Sequence, residues 1–208
     1  MWIVKIGGSL ATDETLPHWL DVLSCYGGGD VVIVPGGGPF AELVLKSQGF
    51  WHFDDSSAHR MALMAMSQYG IMMSGMRPDL VPVQQLQDIK GVLNRAGVPV
   101  WLPARLLGET HEVEHSWDVS SDSLAAWLAQ QLGATHLLLV KSMTLEERAL
   151  PVGELMASGV VDAAFLRYAR RANCSVTIMS SYQHEFVPRV ISGGASVGTQ
   201  MMGLRETA

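Results

Sequence analysis

Apolar positions along this chain fall into two alternating kinds of segment. Residues 2–6, 31–34, 98–102, 137–140 and 175–179 are short, β-branched and almost continuously apolar, and they read as largely buried strands. Residues 16–25, 40–48, 57–73, 84–96, 121–132 and 162–172 have helical spacing or composition instead. Strands apolar on both faces, alternating with helices, predict an α/β fold with a largely parallel sheet covered on both sides. The tail departs from this rhythm: residues 186–191 and the Gly/Ser-rich stretch after them read as a final strand or hairpin. No long linker, repeat or low-complexity segment intervenes, so residues 1–208 are expected to form one domain.

The segment 57–76 carries Met61, Met64, Met66, Met72, Met73 and Met76. It reads as a core helix with adaptable packing, although a subunit interface would use the same flexible thioethers in the same way.

Composition narrows the class. Apolar residues make up 48% of the chain and charged residues 16%, against ~25% charged in ordinary soluble domains. The net charge of −6 argues against general affinity for nucleic acid or anionic membrane, but leaves room for a local basic pocket. No apolar run approaches the ~18 residues of a membrane span, and the first residues read as strand and turn, unlike a signal peptide. Cys25 and Cys174 lack the paired spacing of zinc or redox sites and read as small buried hydrophobes. The expectation is a soluble, cytoplasmic protein.

In open parallel sheets, ligands bind beyond the carboxyl ends of strands. Three turns sit there: Gly7-Gly8-Ser9, Gly36-Gly37-Gly38, and Ser142 after the strand ending at Val140. Small residues let backbone N–H groups approach an anion, so the pair of glycine turns points to a phosphate-rich ligand. Of only four lysines, Lys5 lies inside the first strand and Lys141 at the end of another. A lysine within a buried strand needs a partner, and a bound phosphate would supply one; either lysine could also simply extend to the sheet rim. Asp122, with the serines around it, would cap the helix from 121, or orient those lysines.

Weaker patterns accompany these. Gly36 to Ala41 matches the dinucleotide pattern G-x-G-x-x-A, with Asp54 and Asp55 near the expected ribose offset. His111, Glu112, His115 and their neighbours could ligate a metal, though an exposed polar loop explains them more simply. There is no Walker A sequence.

Taken together and in order, three stretches resemble the amino acid kinase family: Val4-Lys5-Ile6-Gly7-Gly8-Ser9-Leu10, Val32 through Gly38, and Asp118 through Ala125. Residues 137–142 and Val197-Gly198-Thr199 extend the likeness over nearly the whole chain. The resemblance implies a three-layer αβα sandwich, ATP with Mg2+, and phosphoryl transfer to a carboxylate, carbamate or phosphate. Carried over by position, Lys5 would stabilise the transferring phosphoryl group and Asp122 would organise the lysines. Gly7, Gly8, Ser9, Lys141 and Ser142 would meet the nucleotide, and Gly36, Gly37 and Gly38 would present N–H groups to the acceptor. Many members carry another lysine late in the chain, but residues 159–167 hold none here, leaving Lys141, Arg167 or magnesium to supply that charge.

Within the family, His59-Arg60-Met61-Ala62, Met66 to Tyr69 and Ser116 to Val119 are most similar to a small subgroup. Its members phosphorylate an aminomethyl-furan-methyl phosphate to the diphosphate in methanofuran biosynthesis. On that likeness His59 and Arg60 would bind the acceptor phosphate, Trp117 would stack on the furan and Asp118 would pair with its amine. A homodimer or higher homo-oligomer is expected. Alternatives are a uridylate- or isopentenyl-phosphate-type kinase, an NAD-binding oxidoreductase, and a non-catalytic nucleotide sensor, the last suggested by the missing lysine.

Overall fold

The five apolar runs form the middle of one eight-stranded sheet. The computed structural model describes residues 1–108, 112–145, 148–194 and 197–204. From the amino terminus come β1 (Trp2–Ile6), a 3₁₀ segment at Gly8–Thr12, α1 (Leu16–Tyr26), β2 (Val31–Pro35), α2 (Gly38–Trp51) and α3 (Asp55–Met76). Next are β3 (Leu80–Val83), α4 (Leu86–Leu93), β4 (Val98–Trp101), α5 (Pro103–Gly108), α6 (Ser121–Leu132) and β5 (His136–Lys141). The remainder is β6 (Ala149–Pro151), α7 (Val152–Ala157), α8 (Phe165–Ala172), β7 (Ser175–Ser180), a second 3₁₀ segment at Ser181–Phe186, α9 (Val187–Ile191) and β8 (Thr199–Met202).

Strand order is β3-β4-β2-β1-β5-β7-β8-β6. All pairings are parallel except β7 with β8, as the apolar-run pattern predicts. Helices cover both faces, giving the three-layer sandwich that the resemblance implied. Alternate residues of the central strands feed opposite cores. Ile3, Val32, Val34, Leu137 and Leu139 pack toward α6 and α8, whereas Val4, Ile33, Leu138 and Val140 pack toward α1 and α9. Helix α3 serves both cores, Leu63 and Met66 on one side and Tyr69 and Met73 on the other.

Four expectations need correction. Strands β3 and β6 were not foreseen; both are edge strands carrying proline, which weakens a strand signal and is tolerated where no neighbour needs the N–H. Residues 186–191 are not a strand. Pro188 stands at the start of α9, where its fixed φ suits a helix and its missing N–H costs nothing. The final strand, β8, begins only at Thr199, beyond a glycine stretch whose residues 195–196 lie outside the described ones. Cys25 is exposed, not buried: the apolar stripe of α1 runs through Leu16, Trp19, Leu20 and Leu23 and passes it by, while Cys174 is buried as expected.

Candidate active site

Strand alternation places the first functional side chain. Lys5 shares its side of β1 with Ile3, and the helix packed on that side is α6. Lys141 has the same parity on β5, next to β1. Asp122 occupies the first turn of α6, where the helix dipole favours a carboxylate. The three meet. Lys5 Nζ lies 2.9 Å from Asp122 Oδ1 and Lys141 Nζ lies 2.6 Å from Oδ2. Lys5 is 4% exposed and Asp122 3%.

A carboxylate so buried would ordinarily titrate upward. Burial does push Asp122 up, but Lys5 and Lys141 together outweigh it and hold the group below the usual carboxylate value. Burial, followed by repulsion from Lys5, pulls Lys141 down to about 8 against the attraction of Asp122 and Asp162. The centre therefore pairs two cations with one anion inside an acidic protein, with Asp162 near enough to attract Lys141.

The start of α6 is fixed from outside the helix. Ser120 is the N-cap and accepts from the Asp122 N–H. Asp162 accepts from the backbone and hydroxyl of Ser120 (3.0 and 2.6 Å) and from the backbone and hydroxyl of Ser123. Asp162 had been read as the first residue of the last long helix, yet α8 begins at Phe165. No local pattern marks an aspartate that caps a helix about forty residues earlier, so sequence reasoning missed it.

Of the two side chains that could stand in for the missing late lysine, Lys141 lies in the cluster with Lys5 and Asp122. Arg167 is engaged elsewhere: it pairs with Glu114 at 2.9 Å and lies over the Tyr168 ring at 5.0 Å.

The two glycine turns interlock. Gly36 N–H donates to the Ile6 carbonyl at 2.8 Å, and Gly7 N–H to the Val140 carbonyl at 3.0 Å. A Cβ on Gly8 would lie 2.4 Å from the Gly38 nitrogen, and one on Gly36 would lie 2.4 Å from the Gly8 nitrogen. Gly38 has φ +55° and Gly37 caps α2. Ser9 Oγ donates to Ser142 Oγ at 3.0 Å, tying the first turn to the end of β5. Glycine is thus demanded by the packing of one turn on the other, and the same close approach leaves backbone N–H groups without side chains in front of them.

Two adjoining cavities open here. A cavity of about 700 Å³ is lined by Lys5, Asp122, Lys141, Asp118 and residues 156–157 and 159–163. A smaller one, about 100 Å³, lies between Gly37, His59, Leu63, Met66 and Leu124. Trp117 and Ser120 line both. Trp117 is held by its Nε1–H donating to Gln48 Oε1 at 2.6 Å, while Gln48 Nε2 donates to the Phe53 carbonyl and to Asp55. Gln48 is a second residue that sequence reasoning missed. Arg60 is exposed and lines neither cavity, because the next position on α3 turns away from the face that His59 shares with Met66.

The weaker motifs dissolve. Asp54 caps α3 through the Ser57 N–H at 2.8 Å and Asp55 accepts from Gln48, so neither stands at a strand end where a ribose would bind. His115 bonds Ser56 and Glu112 accepts from Trp127, while His111 lies outside the described residues. Among the described residues no three His, Cys, Asp or Glu side chains converge as metal ligands.

Known proteins resemble this arrangement. A family model described as the amino acid kinase family matches residues 1–143. The [5-(aminomethyl)furan-3-yl]methyl phosphate kinase of Methanocaldococcus jannaschii is 26% identical over 98% of this chain and 99% of its own. The uridylate kinase of Archaeoglobus fulgidus superposes with a TM-score of 0.75 at 16% identity, covering 97% of this chain and 99% of that one. An isopentenyl phosphate kinase, solved as a substrate complex, superposes at 0.64 and 17% identity, covering 97% of this chain and all of its own.

Proposed function

Because the chain belongs to the amino acid kinase family, we propose that it moves the γ-phosphoryl group of ATP onto a small phosphate monoester, the leading acceptor being [5-(aminomethyl)furan-3-yl]methyl phosphate. An acceptor phosphate oxygen attacks the γ-phosphorus, the bond to the β-phosphate oxygen breaks, and ADP leaves as the diphosphate product forms. The observation that carries this reading is the Lys5–Asp122–Lys141 cluster beside two glycine turns. Phosphoryl transfer asks for alignment and charge neutralisation more than covalent help. A phosphate monoester is largely dianionic near neutral pH, its second pKa being ~6, so no general base is required.

The residues divide the work. Lys5 faces the transferring group, and Asp122 holds Lys5 and Lys141 in place without cancelling both. Gly7, Gly8, Ser9 and Ser142 border the nucleotide phosphates, and the Gly36–Gly38 turn presents N–H groups to the acceptor. Trp117, which lines both cavities, would stack on the acceptor's ring, and Asp118 lines the larger cavity beside it. Magnesium brought in with the nucleotide would neutralise charge that develops on the transferring group; such an ion keeps several waters and would need few protein ligands, which suits the sparse donor set found among the described residues.

The protein would work in the cytoplasm; among the described residues no helix is long and apolar enough to cross a membrane. It would do so as a homodimer. Leu43, Leu45, Phe50 and Trp51 of α2 are all more than half exposed, and Val44 is that helix's buried apolar residue. Four large exposed apolar side chains on one helix belong inside an assembly, and a twofold copy of the same surface is their simplest cover.

ADP release measured with ATP, Mg2+ and a panel of phosphorylated acceptors tests the reading. The furan-methyl phosphate should give the highest kcat/KM, and Lys5→Ala should lower it by about 10²-fold or more. No acceptor-dependent ADP release, a preference for UMP or isopentenyl phosphate, or full activity in Lys5→Ala would overturn it.

A further inference from the structure

His59, Ala62, Leu63 and Met66 stand at i, i+3, i+4 and i+7 on one face of α3, and all four line the smaller cavity. A histidine on such an apolar face is ordinarily satisfied at both ring nitrogens. This one is not. It is 5% exposed and stacks on His115 with centroids 4.8 Å apart, and among the described residues its Nε2 has no hydrogen-bond partner. A buried polar nitrogen left alone is costly, and a ligand that supplies the partner relieves it.

The cavity's size restricts that ligand. Its volume of about 100 Å³ compares with ~30 Å³ for a water in the liquid and ~150 Å³ for an apolar cavity that takes benzene. A single five-membered ring fits; a nucleobase with its ribose does not. Gly37 lines one wall, so a phosphate held at the Gly36–Gly38 turn would leave its organic group here.

The ring's chemistry restricts it further. Burial and the neighbouring His115 disfavour the imidazolium, and a neutral ring with its proton on Nδ1 offers a lone pair at Nε2. A lone pair accepts from N–H or O–H and repels an anion. In that tautomer His59 meets a hydrogen-bond donor rather than the acceptor phosphate that the resemblance implies for it.

We propose that the smaller cavity holds the organic group of the acceptor and that His59 Nε2 accepts a hydrogen bond from an amine or hydroxyl on a single small ring. His59 is then a specificity-determining residue. The inference rests on the phosphate-monoester kinase reading and deepens it.

Steady-state kinetics of the full chain with ATP and Mg2+ test it on three acceptors: the aminomethyl-furan-methyl phosphate, the same furan-methyl phosphate without the aminomethyl group, and UMP. Wild type should favour the amine-bearing furan over the bare one by about 10²-fold in kcat/KM, with UMP below both. His59→Phe should shrink that preference to about threefold by lowering only the amine-bearing acceptor, and His59→Gln, which can place an acceptor near the Nε2 position, should restore most of it. An unchanged preference in His59→Phe, or equal loss on both furans, overturns the role of His59 and leaves the kinase reading standing. A preference for UMP overturns both. Met66→Trp fills the cavity while keeping His59, and should raise KM for both furans about tenfold or more with the KM for ATP within about twofold. Unchanged furan KM values in that variant overturn the placement.

Discussion

Lys141 Nζ lies 2.6 Å from Asp122 Oδ2, on the edge of the carboxylate opposite to the one that Lys5 takes. Two cations from adjacent parallel strands therefore share one anion at the start of a helix. The acid carries no spare negative charge toward the cavity, and both ammonium groups remain available to phosphate oxygens. The sensor alternative predicts ATP binding without turnover on any acceptor, so the same ADP-release panel separates it from the kinase reading.

Removing different members of this cluster should give different failures. Lys141→Met should cut kcat by about 10²-fold, as loss of one preorganised charge does, with Asp122 still paired to Lys5. Asp122→Asn leaves the buried Lys5 and the half-buried Lys141 without their shared anion and should cost about 3–5 kcal/mol of stability. Urea denaturation beside ADP-release kinetics separates the two outcomes.

The pH dependence follows from Lys141. With its value drawn down to about 8, the free enzyme loses this cation as pH rises through 8, and kcat/KM should fall there. Bound phosphates favour the ammonium, so the limb in kcat should lie at higher pH. Lys141→Arg should abolish the limb. Stability moves the other way: the unfolded chain keeps this proton up to ~10.4, binds more protons than the folded chain between the two values, and so this group's contribution rises with pH across that window. Urea midpoints at pH 7.5 and 9 will show whether the activity loss is titration or unfolding.

Glycines of the two turns should be irreplaceable where backbone faces backbone. Gly8→Ala and Gly36→Ala each drive a Cβ to 2.4 Å from a main-chain nitrogen, and each should destabilise by about 1–3 kcal/mol or more and abolish activity. Gly91→Ala is the control. It lies inside α4 with nothing within 4 Å of the added carbon and should stabilise by about 0.5–1 kcal/mol. Thermal denaturation of the three variants reads the contrast.

The α2 surface makes a test of assembly. Trp51 is 74% exposed and Phe50 71%, so Phe50→Glu with Trp51→Glu should convert a dimer to a monomer in sedimentation velocity at an unchanged fold. A wild-type chain that sediments as a monomer at tens of micromolar would reject the assignment.

Legibility followed the range of the interactions. The central strands were readable because a strand buried on both faces must be apolar at every position, and Lys5 stood out against that background. The edge strands β3 and β6 were not, since an edge needs no continuous apolar run and tolerates Pro82 and Pro151. The start of α6 at Ser121 was readable from its Ser/Asp cap chemistry. Asp162, which holds that cap from beyond α7, had no local signature.

By itself the sequence determined which segments form the buried central strands, that two glycine turns end successive strands, and that two of the scarce lysines stand in or at the end of such strands. Those features depend on periodicities of two and 3.6 residues and on the tolerance of single positions, and both are local. The tertiary structure decided the rest: that Lys141 and not Arg167 completes the charge cluster, that the glycines pack on each other, that Gln48 fixes Trp117, and that His59 is buried with one nitrogen unmet. Each of these depends on groups brought within hydrogen-bond or van der Waals distance from remote parts of the chain, and no local pattern encodes such a distance.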